Sequence, residues 1–202
     1  MTLLLGLLAS YLLGSIPTSY LVARMARGID LRDQGSKNLG ATNLYRVLGW
    51  RFAAPVGLFD LLKGVIPVAI IGPGVGGGEW IPLGCGLAAV LGHVFSVWVR
   101  FKGGKGVATG AGIVLAVAPW AFLTGLVVWC LALKASGYVS LASILAAAIY
   151  PFAVYLFHPE RHETLWLHAG LAALVIALHR PNIQRLWAGT ESRFGRRGIP
   201  ES

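Results

Sequence analysis

Charge is what this chain has least of. Only 12% of its 202 residues are Asp, Glu, Lys or Arg, while 56% are hydrophobic; an ordinary soluble domain carries about 25% charged residues. That shortage excludes a soluble globular domain and describes an all-α integral membrane protein. Cysteine is nearly absent too. Cys85 and Cys130 both lie in apolar stretches, so neither a disulfide framework nor a metal site is indicated. There are only eight carboxylates, and outside the apolar runs only Glu191 and the pair Asp30 and Asp33 fall near one membrane face. Paired-carboxylate catalysis is therefore disfavoured. The sequence has no H-x-E or H-E-x-x-H stretch for metal hydrolysis and no G-x-S-x-G elbow. No metal and no cofactor are expected.

What is present is apolar sequence in long runs. A spanning helix needs about 20 mostly apolar residues, and such runs cover 2–23, 52–71, 80–99, 138–157 and 164–178. The first lacks a basic start and exceeds a signal peptide's usual length, so it reads as a span and not as a cleaved signal. Residues 107–133 are uncharged but interrupted by Pro119, and they are long for one crossing and short for two. Charge decides between these, because cytoplasmic loops collect Lys and Arg. The net charge of +9 does not indicate a nucleic-acid partner, since the basic residues sit in the gaps between apolar runs. With loop 24–51 inside, its six basic residues are inside and the connector GPGVGGGE (72–79) is outside. If 107–133 crosses twice, fifteen of the seventeen Lys and Arg are cytoplasmic, with Arg161 outside and Lys63 within the membrane. The expectation is seven transmembrane helices, N-terminus outside, C-terminus cytoplasmic, with interfacial helices on the cytoplasmic face. No second domain or internal repeat is visible, so 1–202 reads as a single polytopic domain.

This topology gathers the polar segments on one side: GSKNLGATNLYR (35–46), HVFSVWVRFKGGKG (93–106), SLAS (140–143) and HRPNIQR (179–185). Glycines in FKGGKG let a backbone turn its N–H groups toward a ligand, and adjacent lysines suit an anion such as phosphate. The nucleotide P-loop pattern fails there, because Val99 stands where its first glycine belongs and Gly106 follows Lys105. In 35–46, Thr42 or Asn43 is expected to cap an amphipathic interfacial helix, and Arg46 can fork onto a phosphate. Ser36 is the hydroxyl of the turn. His93 lies seven residues before Arg100, about 10 Å up a helix, with Ser96 on its face; a satisfied structural histidine and a site residue are both open readings. Asp60 and Lys63, three apart within a span, are expected to pair as structural support. Ser140 and Ser143 read as caps or as site residues. Pro181 suits the first turn of a tail helix that also carries His179, Asn182 and Arg185, where anchoring and function are both open. His158, His162 and His168 receive no role.

The stretches GSKNLGATNLYRVLG, FDLLKG, GHVFSVWVRFKGGKGVATG, SLAS and HRPNIQRLWAGTE together resemble the bacterial acyl-phosphate:glycerol-3-phosphate acyltransferase family over essentially the whole chain. Each motif alone is weak; five in this order are specific. The resemblance implies a multi-pass enzyme of the bacterial inner (plasma) membrane, its active site facing the cytoplasm. It implies that Ser36, Arg46, Lys105, Ser143, His179 and Asn182 line that site, with glycines 103–106 shaping a phosphate site. Ser36, His179 and Lys105 are the catalytic candidates. Asn38, Thr42, Asn43, Arg46, His93, Lys102, Gly103, Gly104, Gly106, Thr109, Ser140, Ser143, Asn182 and Arg185 are the candidates for binding substrate. The H-x-x-x-x-D signature of other glycerolipid acyltransferases is missing, since Trp98 stands five residues after His93.

A donor-rich, carboxylate-poor site favours an anionic substrate and developing negative charge. The reaction implied is attack of the glycerol 3-phosphate 1-hydroxyl on acyl phosphate, giving 1-acylglycerol 3-phosphate and inorganic phosphate for phospholipid biosynthesis. The partners expected are acyl phosphate, glycerol 3-phosphate and the lipid bilayer, with the chain a monomer. The proton acceptor is left open among His179, a Ser36 relay and the substrate's own phosphate. An acyl-Ser36 intermediate is the weaker path. The alternative from another class is a transporter or flippase for a phosphorylated metabolite or lipid, which should carry polar residues to both faces and show inverted repeats.

Overall fold

A computed structural model of the protein describes residues 2–78 and 80–195. Glu79 of the connector and Arg196 and Arg197 of the tail lie outside the described residues. Every α, 3-10 or π element among them is helical, and the chain divides into two compact units, Met1–Val117 and Ala118–Ser202.

In the first unit the initial apolar run is a broken helix: α1 (Leu3–Ser15), then Ile16 and Pro17, then α2 (Thr18–Arg27). Pro17 brings no N–H to the ladder, which explains the break. The helical run continues past residue 23 to Arg27, where Gly28 ends it at φ 67°. Arg24 and Arg27 thus occupy the last turn of α2, a favourable place for positive charge against the helix dipole.

The interfacial helix α3 (Ala41–Leu48) starts from Gly40, so Thr42 and Asn43 sit inside the helix and neither caps it. Next comes α4 (Trp50–Ile66), which passes through a π turn, Pro67–Ile71, into α5 (Gly72–Val75). Pro67 cannot donate to the carbonyl of Lys63, and the ladder re-forms with a longer turn. The start of the glycine-rich connector is therefore helical. Helix α6 (Trp80–Val94) stops five residues short of 99, and Val97–Val99 form a 3-10 turn. His93 accordingly lies in the last turn of α6, not deep along a helix reaching 99, and Ser96 does not continue its face. Helix α7 (Val107–Val117) closes the unit.

Glycine explains how these helices fit. A Cβ on Gly64 would lie 1.9 Å from the Thr109 carbonyl oxygen, and one on Gly112 would lie 2.0 Å from that of Leu61. Gly14 and Gly92 make the same backbone approach between α1 and α6, against Ala89 and Tyr11. Small residues at such seams let apolar helices pack closely where lipid supplies no hydrophobic drive.

The second unit comprises α8 (Pro119–Ser136), α9 (Val139–Phe157), α10 (Leu165–Leu178) and α11 (Arg180–Trp187). Helix α9 packs between α8 and α10, and α11 rests on α9 and α10. The 107–133 run breaks at Ala118, so it makes two helices. Their lengths are unequal: α7 has 11 residues, about 16 Å at 1.5 Å per residue, roughly half of a 30 Å hydrocarbon core. Five helical stretches among the described residues are long and apolar enough to cross a membrane: Leu3–Arg27, Trp50–Val75, Trp80–Val99, Pro119–Ser136 and Val139–Phe157.

Replacing Gly64 with alanine is expected to push α4 away from α7. Overpacking of this kind costs about 1–3 kcal/mol, so Gly64→Ala should lower the melting temperature of detergent-purified protein. Gly74→Ala, where a Cβ meets open space, should leave it unchanged; equal behaviour of the two variants would contradict the close seam.

Candidate active site

The segment joining α2 to α3 is ordered by its own apolar floor. Leu31, Leu39 and Leu44 pack with Ala23, Ala53, Val56 and Val99. Above that floor one buried amide holds the loop together. Asn43 Oδ1 accepts the Ser36 N–H at 2.8 Å, while its Nδ2 donates to the carbonyls of Leu31 (3.3 Å), Gln34 (3.0 Å) and Asn38 (3.1 Å). Asn43 was expected to meet substrate; its amide is committed to shaping the loop that presents Ser36 and Lys37. Asn38 takes part through its carbonyl. Gly35, at φ 56°, is required here because a Cβ would stand 2.4 Å from Asn43 Oδ1. Ser36 and Lys37 are exposed, and Arg46 and Thr42 are half-buried on α3.

The second loop closes on the end of α6. Gly103 N–H donates to the Val94 carbonyl at 2.9 Å and Gly104 N–H to that of His93 at 3.0 Å. These two N–H groups therefore do not face an anion, because the last carbonyls of a helix need donors of their own. The glycines are needed for approach: a Cβ at 103 would lie 2.0 Å from the His93 carbonyl oxygen, and one at 104 would lie 2.2 Å from His93 Nε2. Gly106 turns the chain into α7 at φ 71°. Lys105 is half-buried. Thr109 is fully buried at the seam with α4. His93 is buried, its Nδ1 3.9 Å from Asp60 Oδ1, and Asp60 pairs with Lys63 at 2.7 Å.

The two loops meet in an open cleft of about 430 Å³ lined by Arg32, Lys37, Lys102 and Gly103. Among the described residues, the three non-glycine residues at positive φ lie in these loops: Lys37 (60°), Arg100 (58°) and Phe101 (60°). Left-handed backbone at such residues is strained and persists where surrounding contacts impose it. Arg32 forks onto Asp30, Nε to Oδ1 at 3.0 Å and a terminal nitrogen to Oδ2 at 2.7 Å. That pairing holds the Asp30 carboxyl down at about 2, outweighing what burial does in the other direction. The lysines are left to set the sign of the cleft. Arg32 was missed in the sequence because only the fold brings it to Lys102.

In the second unit a carboxylate dismissed on scarcity is the hub. Glu191 Oε1 accepts from Ser140 Oγ and Asn182 Nδ2, both at 2.7 Å, and Oε2 accepts from Arg185 Nε at 2.7 Å. Ser140, expected to bind substrate or cap α9, uses its one proton on Glu191, and the α9 cap position is Tyr138. Asn182 and Arg185 each give Glu191 one donor, which ties the tail to the start of α9. Ser143 donates to the Val139 carbonyl at 2.9 Å and accepts from Trp129 Nε1 at 3.2 Å, so it is not a cap either. His179 Nδ1 lies 2.7 Å from the Val175 carbonyl. A carbonyl only accepts, so Nδ1 carries the proton and Nε2 is the acceptor nitrogen of the neutral ring. Pro181 stands in the first turn of α11.

These features define a helical integral membrane protein with a cationic cleft and a histidine of fixed tautomer. The family model for glycerol-3-phosphate acyltransferase matches residues 4–189. A glycerol-3-phosphate acyltransferase of Trichlorobacter lovleyi is 48% identical over 185 residues, covering 92% of this chain and 94% of its own. Two crystal structures of PlsY, an integral membrane glycerol 3-phosphate acyltransferase, superpose on the chain. Its glycerol 3-phosphate form gives a TM-score of 0.89 at 41% identity, covering 96% of both chains. Its lysophosphatidic acid form gives 0.85 at 40% identity, covering 96% of this chain and 95% of that one. The chain belongs to the glycerol-3-phosphate acyltransferase family.

Burial raises the Glu191 pKa, but hydrogen bonds from Ser140, Asn182 and Arg185 outweigh it, and the net shift is downward from 4.5. A depressed carboxylate stabilises fully above its ordinary value and loses that contribution as pH falls through the lowered one. Glu191→Gln should therefore cost about 1–3 kcal/mol at pH 7. The gap in melting temperature to the parent protein should narrow on acidification below the usual carboxylate range. A gap independent of pH would remove the charge from this account.

Proposed function

We propose that the protein transfers an acyl chain from acyl phosphate to the 1-hydroxyl of glycerol 3-phosphate in phospholipid biosynthesis. The hydroxyl oxygen bonds to the acyl carbonyl carbon, the bond from that carbon to the phosphate oxygen breaks, and inorganic phosphate leaves with the electron pair. The hydroxyl proton passes to a base. A mixed anhydride is already activated, so positioning and oxyanion stabilisation carry most of the work. The observation that carries this reading is the cleft where Arg32, Lys37 and Lys102 converge, in a chain whose relatives act on a phosphorylated glycerol. Two phosphorylated substrates match that supply of cations. The lack of a recognisable triad suits a donor that needs no further activation.

Within this reading Lys105, Lys102 and Arg46 hold phosphate oxygens, and exposed Ser36 hydrogen-bonds the substrate or relays a proton. His179, Ser143 and Asn182 carry the roles that the family motifs assign them, with His179 Nε2 a candidate proton acceptor. The reading extends to seven spans in one functional domain, 1–202, the N-terminus outside and the C-terminus cytoplasmic. It puts the protein in the bacterial plasma membrane as a monomer, with its active site facing the cytoplasm. The distribution of Lys and Arg along the sequence supports that orientation. Cysteines placed near Gly76 and His162 should label from outside intact cells, and those near Lys37, Gly104 and Arg193 only from inside; a tail labelled from outside would overturn the double crossing of 107–133.

The donor is tested by product analysis with acyl phosphate and acyl-CoA of equal chain length, each mixed with glycerol 3-phosphate and purified protein. Lysophosphatidic acid and inorganic phosphate should form from acyl phosphate, with little turnover of acyl-CoA; comparable rates would sink the donor assignment. A lost charge-assisted hydrogen bond is worth about 1.5–3 kcal/mol, so Lys105→Ala should lose roughly 10- to 150-fold in kcat/KM. His179→Gln should lower kcat by about 10²-fold or more if the ring takes the proton, and a variant with normal kcat would hand that task to the substrate phosphate.

A further inference from the structure

The buried polar groups of the first unit form a chain that ends at the Gly103–Gly104 turn. Asp60 and Lys63 are almost fully enclosed. Lys63 Nζ donates to Asp60 Oδ1 at 2.7 Å and to the Ile16 carbonyl at 2.5 Å, where the break between α1 and α2 leaves that oxygen outside any helical ladder. Thr18 Oγ donates to the same Asp60 oxygen at 3.1 Å. One edge of the His93 ring faces that oxygen, Nδ1 at 3.9 Å. The opposite edge faces Gly104, whose missing Cβ would stand 2.2 Å from Nε2. The His93 carbonyl also accepts the Gly104 N–H at 3.0 Å. Gly104 is thus held twice by one residue, through its backbone bond and by contact with the ring, and the next residue in the chain is Lys105.

We propose that His93 is a positioning residue for Lys105: braced by the Asp60–Lys63 pair, it seats Gly104 and so sets where the lysine ammonium is presented. The inference deepens the functional reading and rests on its assignment of Lys105 to a substrate phosphate. It replaces the expectation that His93 itself binds substrate. The physical basis is packing. An imidazole in contact with a glycine backbone on one edge and near a fixed carboxylate on the other leaves the turn little freedom, and misplacement by about 1 Å can cost on the order of 10²-fold in rate.

A double-mutant cycle separates this role from others, because residues acting through one another are non-additive while independent ones add. His93→Ala, Lys105→Ala and the double variant are compared in kcat and KM for glycerol 3-phosphate. His93→Ala should lower kcat/KM by roughly 10- to 100-fold, in the same parameter that Lys105→Ala affects. In the Lys105→Ala background it should lower it by less than about 2-fold. His93→Gln, which keeps a polar group on a side chain of similar reach, should recover part of the loss. His93→Asn, which leaves the Asp60–Lys63 pair intact but is too short to reach Gly104, should repeat the non-additive pattern and stands in if His93→Ala does not fold. Full additivity with an impaired Lys105→Ala overturns the inference alone, as does unimpaired His93→Ala. Unchanged kinetics of Lys105→Ala removes the underlying site assignment, and the inference with it.

Discussion

A lysine and an aspartate enclosed together inside apolar helices are the constraint on which the first unit depends. Neither charge is tolerable alone in such surroundings, and removing one partner of a buried pair leaves the other uncompensated, at a cost of about 3–5 kcal/mol. The pair at Lys63 and Asp60 satisfies more than itself. Through the Ile16 carbonyl and the Thr18 hydroxyl it fastens both sides of the broken first helix, and it stands behind the histidine that ends α6. Three helices are registered on one ion pair, and the loops that carry the candidate site spring from their ends.

Precise registration is possible because the seams are made of glycine. With Gly64 and Gly112 against the α7 and α4 backbones, and Gly14 and Gly92 at the α1–α6 seam, the helices touch backbone to backbone. They have little room to slide. The same device repeats at Gly103 and Gly104, where a loop meets a helix end. Glycine in this chain supplies contact more than freedom. Actual left-handed backbone falls on Lys37, Arg100 and Phe101 as well as on glycines, held there by Asn43 in one loop and by the end of α6 in the other.

The second unit uses a different anchor. Glu191 draws donors from the start of α9 and from α11, so one carboxylate fastens the tail segment against the helix bearing the SLAS motif. The polar loops of this chain are rich in donors and poor in carboxylates, and that imbalance is suited to anions. Two of the carboxylates near these loops are paired with arginine, Asp30 with Arg32 and Glu191 with Arg185, which keeps their negative charge from competing with a substrate phosphate for the lysines.

Class, helicity and family were legible in the sequence, because each is set by composition, by the length of apolar runs and by motifs contiguous in the chain. The break at Pro119 was legible for the same reason: proline acts on its own backbone neighbours. Helix ends were not. The stop of α6 at Val94, the start of α3 at Ala41 and the helical continuation to Val75 depend on which carbonyls and N–H groups find partners in space. Side-chain roles divided along the same line. The i,i+3 spacing of Asp60 and Lys63 is local, so their proximity could be read directly. That Asn43 clamps a loop, that Thr109 is enclosed, that Ser140 serves Glu191 and that Arg32 reaches the cleft of Lys102 are all decided between segments distant in sequence. Residue type tells what a group can donate or accept; only the tertiary structure decides which partner stands within hydrogen-bonding distance.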